Sequence, residues 1–190
     1  MRDKFLLLAC LFGLHLPLWA QEGNLPYRQL PAPPANLTAG AVAARMVDGL
    51  GFRYYWATEG LREQDYDYRP AADVRSIKET LQHIYGLSQF LLKALRQEVT
   101  GQPGMEAPMQ VVRQHTLQNL AAASAILQQA NEQTLATFTL PRADTSLPFW
   151  YVLNGPLADA IYHTGQVVAF RRAAGNPIPA GVSVLMGTRK

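Results

Sequence analysis

The chain has 190 residues, of which 48% are hydrophobic and 16% charged, and its net charge is +3. This composition is typical of a globular domain large enough to bury a core, and it excludes a low-complexity protein. The charge is weakly positive and no run of basic residues is present, so we predict no nucleic-acid partner.

The N-terminus has the layout of a cleaved secretory signal. A short charged segment comes first, an apolar stretch follows from Phe5 to Trp19, and Ala20 then precedes polar residues. We therefore predict a signal peptide over residues 1–20 and a periplasmic or secreted mature protein with no stable membrane insertion. Lipoprotein processing at Cys10 and an uncleaved membrane anchor remain open as alternatives.

The mature chain is predicted to consist of a linker and one helical domain. Cys10 is the only cysteine and would leave with the signal, so the mature chain would have no disulfide and no thiolate metal ligand. Residues 21–37 read as a Pro-rich linker, because four prolines keep them extended. The domain is predicted to cover residues 38–190.

The first two helices are predicted from apolar residues at helical spacing. Helix one covers residues 38–58 and ends in an aromatic block at Tyr54-Tyr55-Trp56, which we interpret as closing one end of the core, with a substrate-facing wall as the alternative. Helix two covers residues 74–98, with Asp73 or Ser76 as its cap.

His83 lies on the flank of the apolar stripe of helix two. That placement suits a ligand at the edge of a core and also an ordinary histidine at the core margin, and the helix pattern alone favours the ordinary histidine. Glu79, one turn earlier, is the nearest acid/base candidate in sequence, although a solvated helix carboxylate is the more common role for such a residue.

A third helix and a long connection follow. Helix three is predicted over residues 109–131, and His115 beside its stripe has no paired ligand one turn away, so we interpret it as structural or exposed. Residues 138–156 read as an irregular connection with a cluster of aromatic residues. Such a loop either covers a pocket or is pinned to the domain by its aromatic side chains. The tail from residue 178 onward is predicted to be extended.

The last predicted helix carries the main candidate site. It has Pro156 near its start and Gly175 just past its end. Leu157, Ile161, Thr164 and Val168 form an apolar stripe, and Asp159, His163, Gln166 and Phe170 align on another side. Asp159 and His163 are one turn apart and project in the same direction. They can therefore hold one metal ion together with a third ligand from another helix.

Four long helices without a strand pattern predict an all-α protein, specifically a four-helix bundle. In such bundles, metal sites are built from inward-facing side chains on different helices.

The sequence also resembles the DinB/YfiT-like metalloenzyme family over nearly the whole mature length. The segment from Tyr68-Arg69-Pro70 to His83 is similar to the start of that family's second helix, with its metal histidine. Tyr162-His163-Thr164-Gly165-Gln166 is similar to the family's YH-x-GQ motif on the fourth helix.

The resemblance implies a four-helix bundle with up-down-down-up connectivity and a divalent metal at one end, often zinc, nickel or iron. The family usually supplies three histidines as ligands. His83 matches the first and His163 the last, whereas Asp159 stands where the family has the other histidine. A carboxylate is a competent ligand, but its short side chain can instead bind through water or orient His163. The implied ligand set is therefore His83, Asp159 and His163.

The leading functional hypothesis is an exported, divalent-metal-dependent enzyme of hydrolase or thiol S-transferase type that acts on a small molecule. Metal-assisted hydrolysis is slightly favoured, because an exported protein meets cytosolic thiols less readily. The alternatives are a bundle that binds a metal or small ligand without turnover, and a bundle whose metal site has decayed. The resemblance also gives a mild expectation of a homodimer.

Overall fold

The computed structural model describes residues 25–98, 107–141 and 145–190 of the chain. The predicted signal peptide, with Cys10, lies outside the described residues. The four long helices are α1 (Ala39–Thr58), α2 (Ile77–Arg96), α3 (Met109–Gln129) and α6 (Ala158–Ala173), and the two short ones are α4 (Glu132–Thr137) and α5 (Phe149–Val152). The strands are β1 (Thr139–Pro141), β2 (Ser146–Pro148), β3 (Val182–Ser183) and β4 (Thr188–Arg189).

The first helix begins where the sequence predicts it. The Thr38 hydroxyl accepts a hydrogen bond from the Ala41 backbone N–H at 3.1 Å, which satisfies one of the free donors at the start of α1. The aromatic block at its end is buried, with Tyr54, Tyr55 and Trp56 between 0% and 5% exposed. This burial confirms the interpretation that these rings close one end of the core.

The second helix begins three residues later than predicted. Ser76, rather than Asp73, is its cap: the Ser76 hydroxyl accepts from the Glu79 N–H at 3.2 Å, and the Glu79 carboxylate accepts from the Ser76 N–H at 2.7 Å. This reciprocal pair is a capping box, which satisfies two donors at once, whereas a single cap at Asp73 would satisfy one.

The third helix ends two residues before its predicted limit. The Asn131 side chain accepts a hydrogen bond from the Thr134 N–H at 2.8 Å and so starts the short helix α4 instead of ending α3. An asparagine at this position suits either role by sequence alone, because asparagine is favoured at helix N-termini and also tolerated at their ends.

The predicted irregular connection is more ordered than expected. After α4, the strands β1 and β2 pair antiparallel with Leu140 opposite Leu147, and helical structure already starts at Phe149. It passes through a π-helical turn at Leu153–Leu157, which contains Pro156, and continues into α6. The early start of this segment corrects the prediction that residues 138–156 are irregular.

The buried face of α6 also differs from the predicted stripe. Ala160, Thr164 and Val167 are at most 2% exposed, whereas Ile161 and Val168 are only half-buried. The helix ends as predicted: Gly175 has a φ of +77°. The Gly175 N–H bonds to the Arg172 carbonyl and the Asn176 N–H to the Arg171 carbonyl, which together form a Schellman motif.

The protein is mostly helical, in agreement with the predicted all-α class. Helices α1 and α2 each pack against both α3 and α6, and their apolar side chains form one core. The two antiparallel ribbons, β1–β2 and β3–β4, were not predicted, because strands of two or three residues are too short to show an alternating pattern. The four-helix bundle with up-down-down-up connectivity stays a prediction.

The segment before α1 and the tail after α6 contact each other. The Leu30 N–H donates to the Gly187 carbonyl, and the Tyr27 hydroxyl donates to Asp48 on α1. Gly187 has a φ of +66°, and a Cβ there would meet the Leu30 side chain, so glycine is required in this turn. Within the part of the chain that the structure describes, no helix combines the length and the apolar character needed to span a bilayer.

Candidate metal centre

The start of α2 holds His83 in a defined position on its helix. The capping box of Ser76 and Glu79 orders the first turn, and Arg69 adds an ion pair with the Glu79 carboxylate at 3.2 Å. His83 follows one turn after Glu79 and is 31% exposed. The hydrogen bond from the Ser76 backbone lowers the pKa of the Glu79 carboxyl. Glu79 is therefore an ionised capping residue, which argues against its role as an acid/base group near neutral pH.

Asp159 and His163 lie one turn apart on α6, as predicted. Their side chains face the same way, and the Asp159 Oδ1 lies 3.3 Å from the His163 Nε2. The His163 side chain is 10% exposed, whereas that of Asp159 is 40% exposed. The site therefore has one side against the helical core and one side open to solvent.

The packing of α2 against α6 brings the three predicted ligands together. The Asp159 Oδ2 lies 3.1 Å from the His83 Nε2, and the two imidazole rings are 4.7 Å apart at nearly a right angle. One ligand atom from each of His83, Asp159 and His163 lies within 4.8 Å of the others. The geometric condition for a shared metal ion is met, while metal binding itself stays a prediction.

The next turn of α6 sets the orientation of the His163 ring. Its Nδ1 lies 2.7 Å from the Gln166 Oε1, and the Gln166 amide donates to the Tyr162 hydroxyl oxygen at 3.1 Å. Because an amide oxygen only accepts, the His163 Nδ1–H donates to it, and the Nε2 is the ring nitrogen that faces Asp159. Such a hydrogen bond from the second ring nitrogen is the usual way in which proteins orient a metal-binding histidine.

The donor atoms of the cluster fit a divalent cation. The 3.3 Å approach of the His163 Nε2 to the Asp159 carboxylate is favourable with a positive charge between them, which either a proton on Nε2 or a metal ion supplies. Ligands of a tetrahedral site with bonds of about 2.0 Å are about 3.3 Å apart. The two carboxylate–imidazole distances of 3.1 and 3.3 Å are close to that spacing. Two imidazoles and one carboxylate suit zinc, iron or nickel.

The remaining candidates lie outside this cluster. His115 is exposed on α3, with its ring 6.2 Å from that of Tyr85, so its interpretation as structural or exposed is confirmed. Phe170, predicted on the same side of α6 as the ligands, packs at 6.5 Å from the Tyr68 ring. The residue whose role the sequence analysis missed is Gln166, although its spacing of three residues from His163 was the available signal.

The family model described as DinB superfamily matches residues 53–167, which is more than half of the chain. The chain belongs to the DinB superfamily. The match includes α2 and most of α6, and therefore all three candidate ligands of this DinB protein. Neither the curated proteins nor the solved structures contain a match to it.

Membership of the DinB superfamily and the cluster together fit a metal-binding protein. The departure from three histidines is located at Asp159, whose carboxylate lies between the two imidazoles rather than away from them. Its side chain is therefore long enough to take part in the cluster directly.

Proposed function

We propose that this DinB protein is an exported, divalent-metal-dependent enzyme of hydrolase or thiol S-transferase type. The observation that supports the proposal most is the convergence of one ligand atom each from His83, Asp159 and His163 within 4.8 Å. Three protein ligands leave at least one position open, which is the arrangement of catalytic rather than structural metal sites.

The residues around the cluster have separate tasks in this proposal. His83 and His163 supply neutral nitrogen donors, and Asp159 supplies the one negative charge among the three ligands. Gln166 accepts from the His163 Nδ1–H and so directs the His163 Nε2 at the site. A divalent ion held here would supply a Lewis acid, which lowers the pKa of water or of a thiol and polarises a carbonyl group.

Export supports hydrolysis over thiol transfer, since water is available everywhere and low-molecular-weight thiols are mainly cytosolic. The second candidate function is a bundle that binds a metal or a small ligand without turnover. The half-exposed Asp159 is compatible with both candidates, because it leaves the cluster accessible from solvent.

Elemental analysis of protein purified without chelator tests metal binding. We expect about one zinc, iron or nickel ion per chain, and a large loss of metal in His163→Ala. The matched control is His115→Ala, which removes an exposed histidine outside the cluster and should keep the metal content. Absence of metal from the native protein would support a decayed site, and full metal content in His163→Ala would overturn the ligand assignment.

An assay of substrate turnover by the metal-loaded protein then distinguishes an enzyme from a non-catalytic binding protein. We expect hydrolysis of at least one ester, amide or lactone substrate, lost in His163→Ala and kept in His115→Ala. Transfer to a thiol acceptor would establish the S-transferase type instead. A metal-loaded protein without turnover in either assay would establish the binding module.

A further inference from the structure

A cavity of about 590 Å³ opens directly beside the cluster of His83, Asp159 and His163. Its walls come from four elements: Leu87 and Phe90 on α2, Leu140 on β1, the π-helical turn that leads into α6, and the first residues of α6 itself. Asp159 belongs to both the cavity wall and the cluster. A molecule in this cavity is therefore adjacent to the proposed metal ligand.

The cavity wall is mostly apolar, with a few polar side chains. Leucine, phenylalanine, proline and alanine side chains make up most of the wall, and the polar side chains are those of Asn154, Asp159 and Tyr162. Phe90 is 40% exposed although it is a large apolar residue, so part of its ring faces the open cavity. Concave apolar walls with a few polar groups at one place are typical of small-molecule sites.

Tyr162 provides a hydrogen-bond donor at the polar part of the wall. Its hydroxyl oxygen already accepts from the Gln166 amide at 3.1 Å, so its own proton is directed elsewhere. The Tyr162 ring also contacts that of His163 at 5.1 Å, and both side chains are hydrogen-bonded to Gln166, so the phenol lies next to a residue of the cluster. This arrangement favours a ligand group that accepts a hydrogen bond.

Charge at the cluster favours the same kind of group. Among the residues that line the cavity, Asp159 is the one charged side chain. A divalent ion bound to it leaves a net positive site, which attracts an oxygen with negative or partial negative charge. The apolar wall provides nothing to neutralise a charge elsewhere on the ligand.

We propose that the substrate is a small molecule with an apolar body, which occupies this cavity, and an oxygen-bearing head such as a carbonyl or carboxylate, which lies between Tyr162 and the cluster. The proposal rests on the proposed metal-dependent function and adds the substrate class to it. The π-helical turn contributes Asn154, Gly155 and Pro156 to the wall, so the irregular geometry before α6 helps to shape the site.

The test compares the binding of octanohydroxamate and acetohydroxamate to the metal-loaded protein by calorimetry. Both have the same metal-binding head, and they differ by six methylene groups. Each buried methylene strengthens binding roughly two- to fourfold, so we expect octanohydroxamate to bind roughly 60- to 4000-fold more tightly.

Ala158→Phe places a large side chain into the cavity from an exposed position at the start of α6. It should remove most of the extra affinity that the longer alkyl chain of octanohydroxamate provides, while the metal content stays unchanged. The matched control is Ala173→Phe, at an exposed position on the same helix that does not line the cavity. A second variant, Phe90→Ser, removes part of the apolar wall and should lower the affinity ratio of octanohydroxamate to acetohydroxamate roughly three- to tenfold.

The outcomes separate this inference from the proposed function. The cavity assignment would be overturned if the metal-loaded protein bound both hydroxamates equally. It would also be overturned if Ala158→Phe kept the full preference for octanohydroxamate over acetohydroxamate. Either result would leave the metal site unaffected. Absence of bound metal in the native protein would overturn the proposed function, and the cavity assignment with it.

Discussion

The two halves of α6 both place polar side chains against the rest of the protein, but they do so in opposite ways. In the second half, Arg171 is 1% exposed and donates to the backbone carbonyls of Trp56, Ala57 and Glu59 at 2.9 to 3.2 Å. Its Nε also donates to the Asn176 carbonyl at 2.7 Å. In the first half, two imidazoles surround one carboxylate and the site is partly open.

The difference lies in whether the polar groups satisfy one another. Arg171 donates to carbonyl groups at the end of α1, which have no partner within their own helix, so it joins α6 to α1. Burial lowers the pKa of the Arg171 guanidinium, and the nearby Asp65 carboxylate opposes that shift. At the cluster, the Asp159 carboxylate faces two imidazole nitrogens, and its ion-pair partners among the described residues are those two histidines. A network with a full set of donors stabilises a fold, whereas a carboxylate and two imidazole nitrogens that converge on one point provide ligand atoms for a cation.

The largest effect is expected from removal of the shared carboxylate. Asp159→Ala should lower the affinity for zinc on the order of 1000-fold, because a site with three protein ligands loses one donor and its negative charge. Asp159→His restores the ligand type usual in the family and should stay within about tenfold of the native affinity. Competition titration with a zinc indicator measures both. Native affinity in Asp159→Ala would show that the carboxylate is not a ligand.

The next effect concerns stability rather than metal binding. Arg171→Met should lower the free energy of unfolding by about 2–4 kcal/mol, because several buried carbonyls lose their donor. The neighbouring Arg172 is exposed, so Arg172→Met is the matched control and should change stability by less than about 0.5 kcal/mol. Chemical denaturation of the metal-free proteins measures both values. Equal stability of the two variants would contradict the role given to Arg171.

A smaller effect is expected from the residue that orients His163. Gln166→Leu should lower metal affinity about 10- to 100-fold, since the His163 ring loses the acceptor that selects its tautomer. Gln166→Glu retains an acceptor and should keep most of the affinity. The same indicator titration distinguishes the two. If Gln166→Leu bound metal as tightly as the native protein, the hydrogen bond between His163 and Gln166 would have no part in metal binding.

The smallest effect is a dependence of stability on pH at the Arg171 end of the helix. Asp65 is 1% exposed, and the Arg62 hydrogen bonds hold the pKa of its carboxyl well below its usual range, with Asn176 adding a further bond. Since the pKa is depressed in the folded state, this carboxylate stabilises the protein above about pH 4. That contribution is lost as the pH falls below this value.

Asp65→Asn should therefore cost about 1–2 kcal/mol at pH 7 and progressively less below pH 4. Urea denaturation at several pH values between 2 and 7 measures the difference. Asp67→Asn is the matched control, because Asp67 lies on the surface two residues away. A cost of Asp65→Asn that stays constant over this pH range would exclude the ionised carboxylate as its origin.

The extent to which the fold could be predicted differs between helices and connections. The limits of α1 were predicted within one residue because a capping threonine and an apolar stripe mark them locally. The segment between α3 and α6 was not, because α4, the two short strands and the π-helical turn form through contacts with the helical body. Their sequences contain too few residues to show a period.

Arg171 is the clearest case in which local sequence was misleading. An arginine near the end of a helix is usually solvated and interacts favourably with the helix dipole. Its burial depends on the end of α1, which lies more than 110 residues earlier in the chain. Nothing within α6 itself indicates that those carbonyls are present.

The sequence by itself determined that Asp159 and His163 share a side of one helix, because the helical repeat sets the direction of residues four apart. It also contained the motifs of the DinB superfamily and the third candidate ligand, His83. Only the tertiary structure decided that His83 comes within 3.1 Å of Asp159, and that an apolar cavity opens beside them. The reason is that distances between helices depend on how their side chains pack, which no local pattern contains.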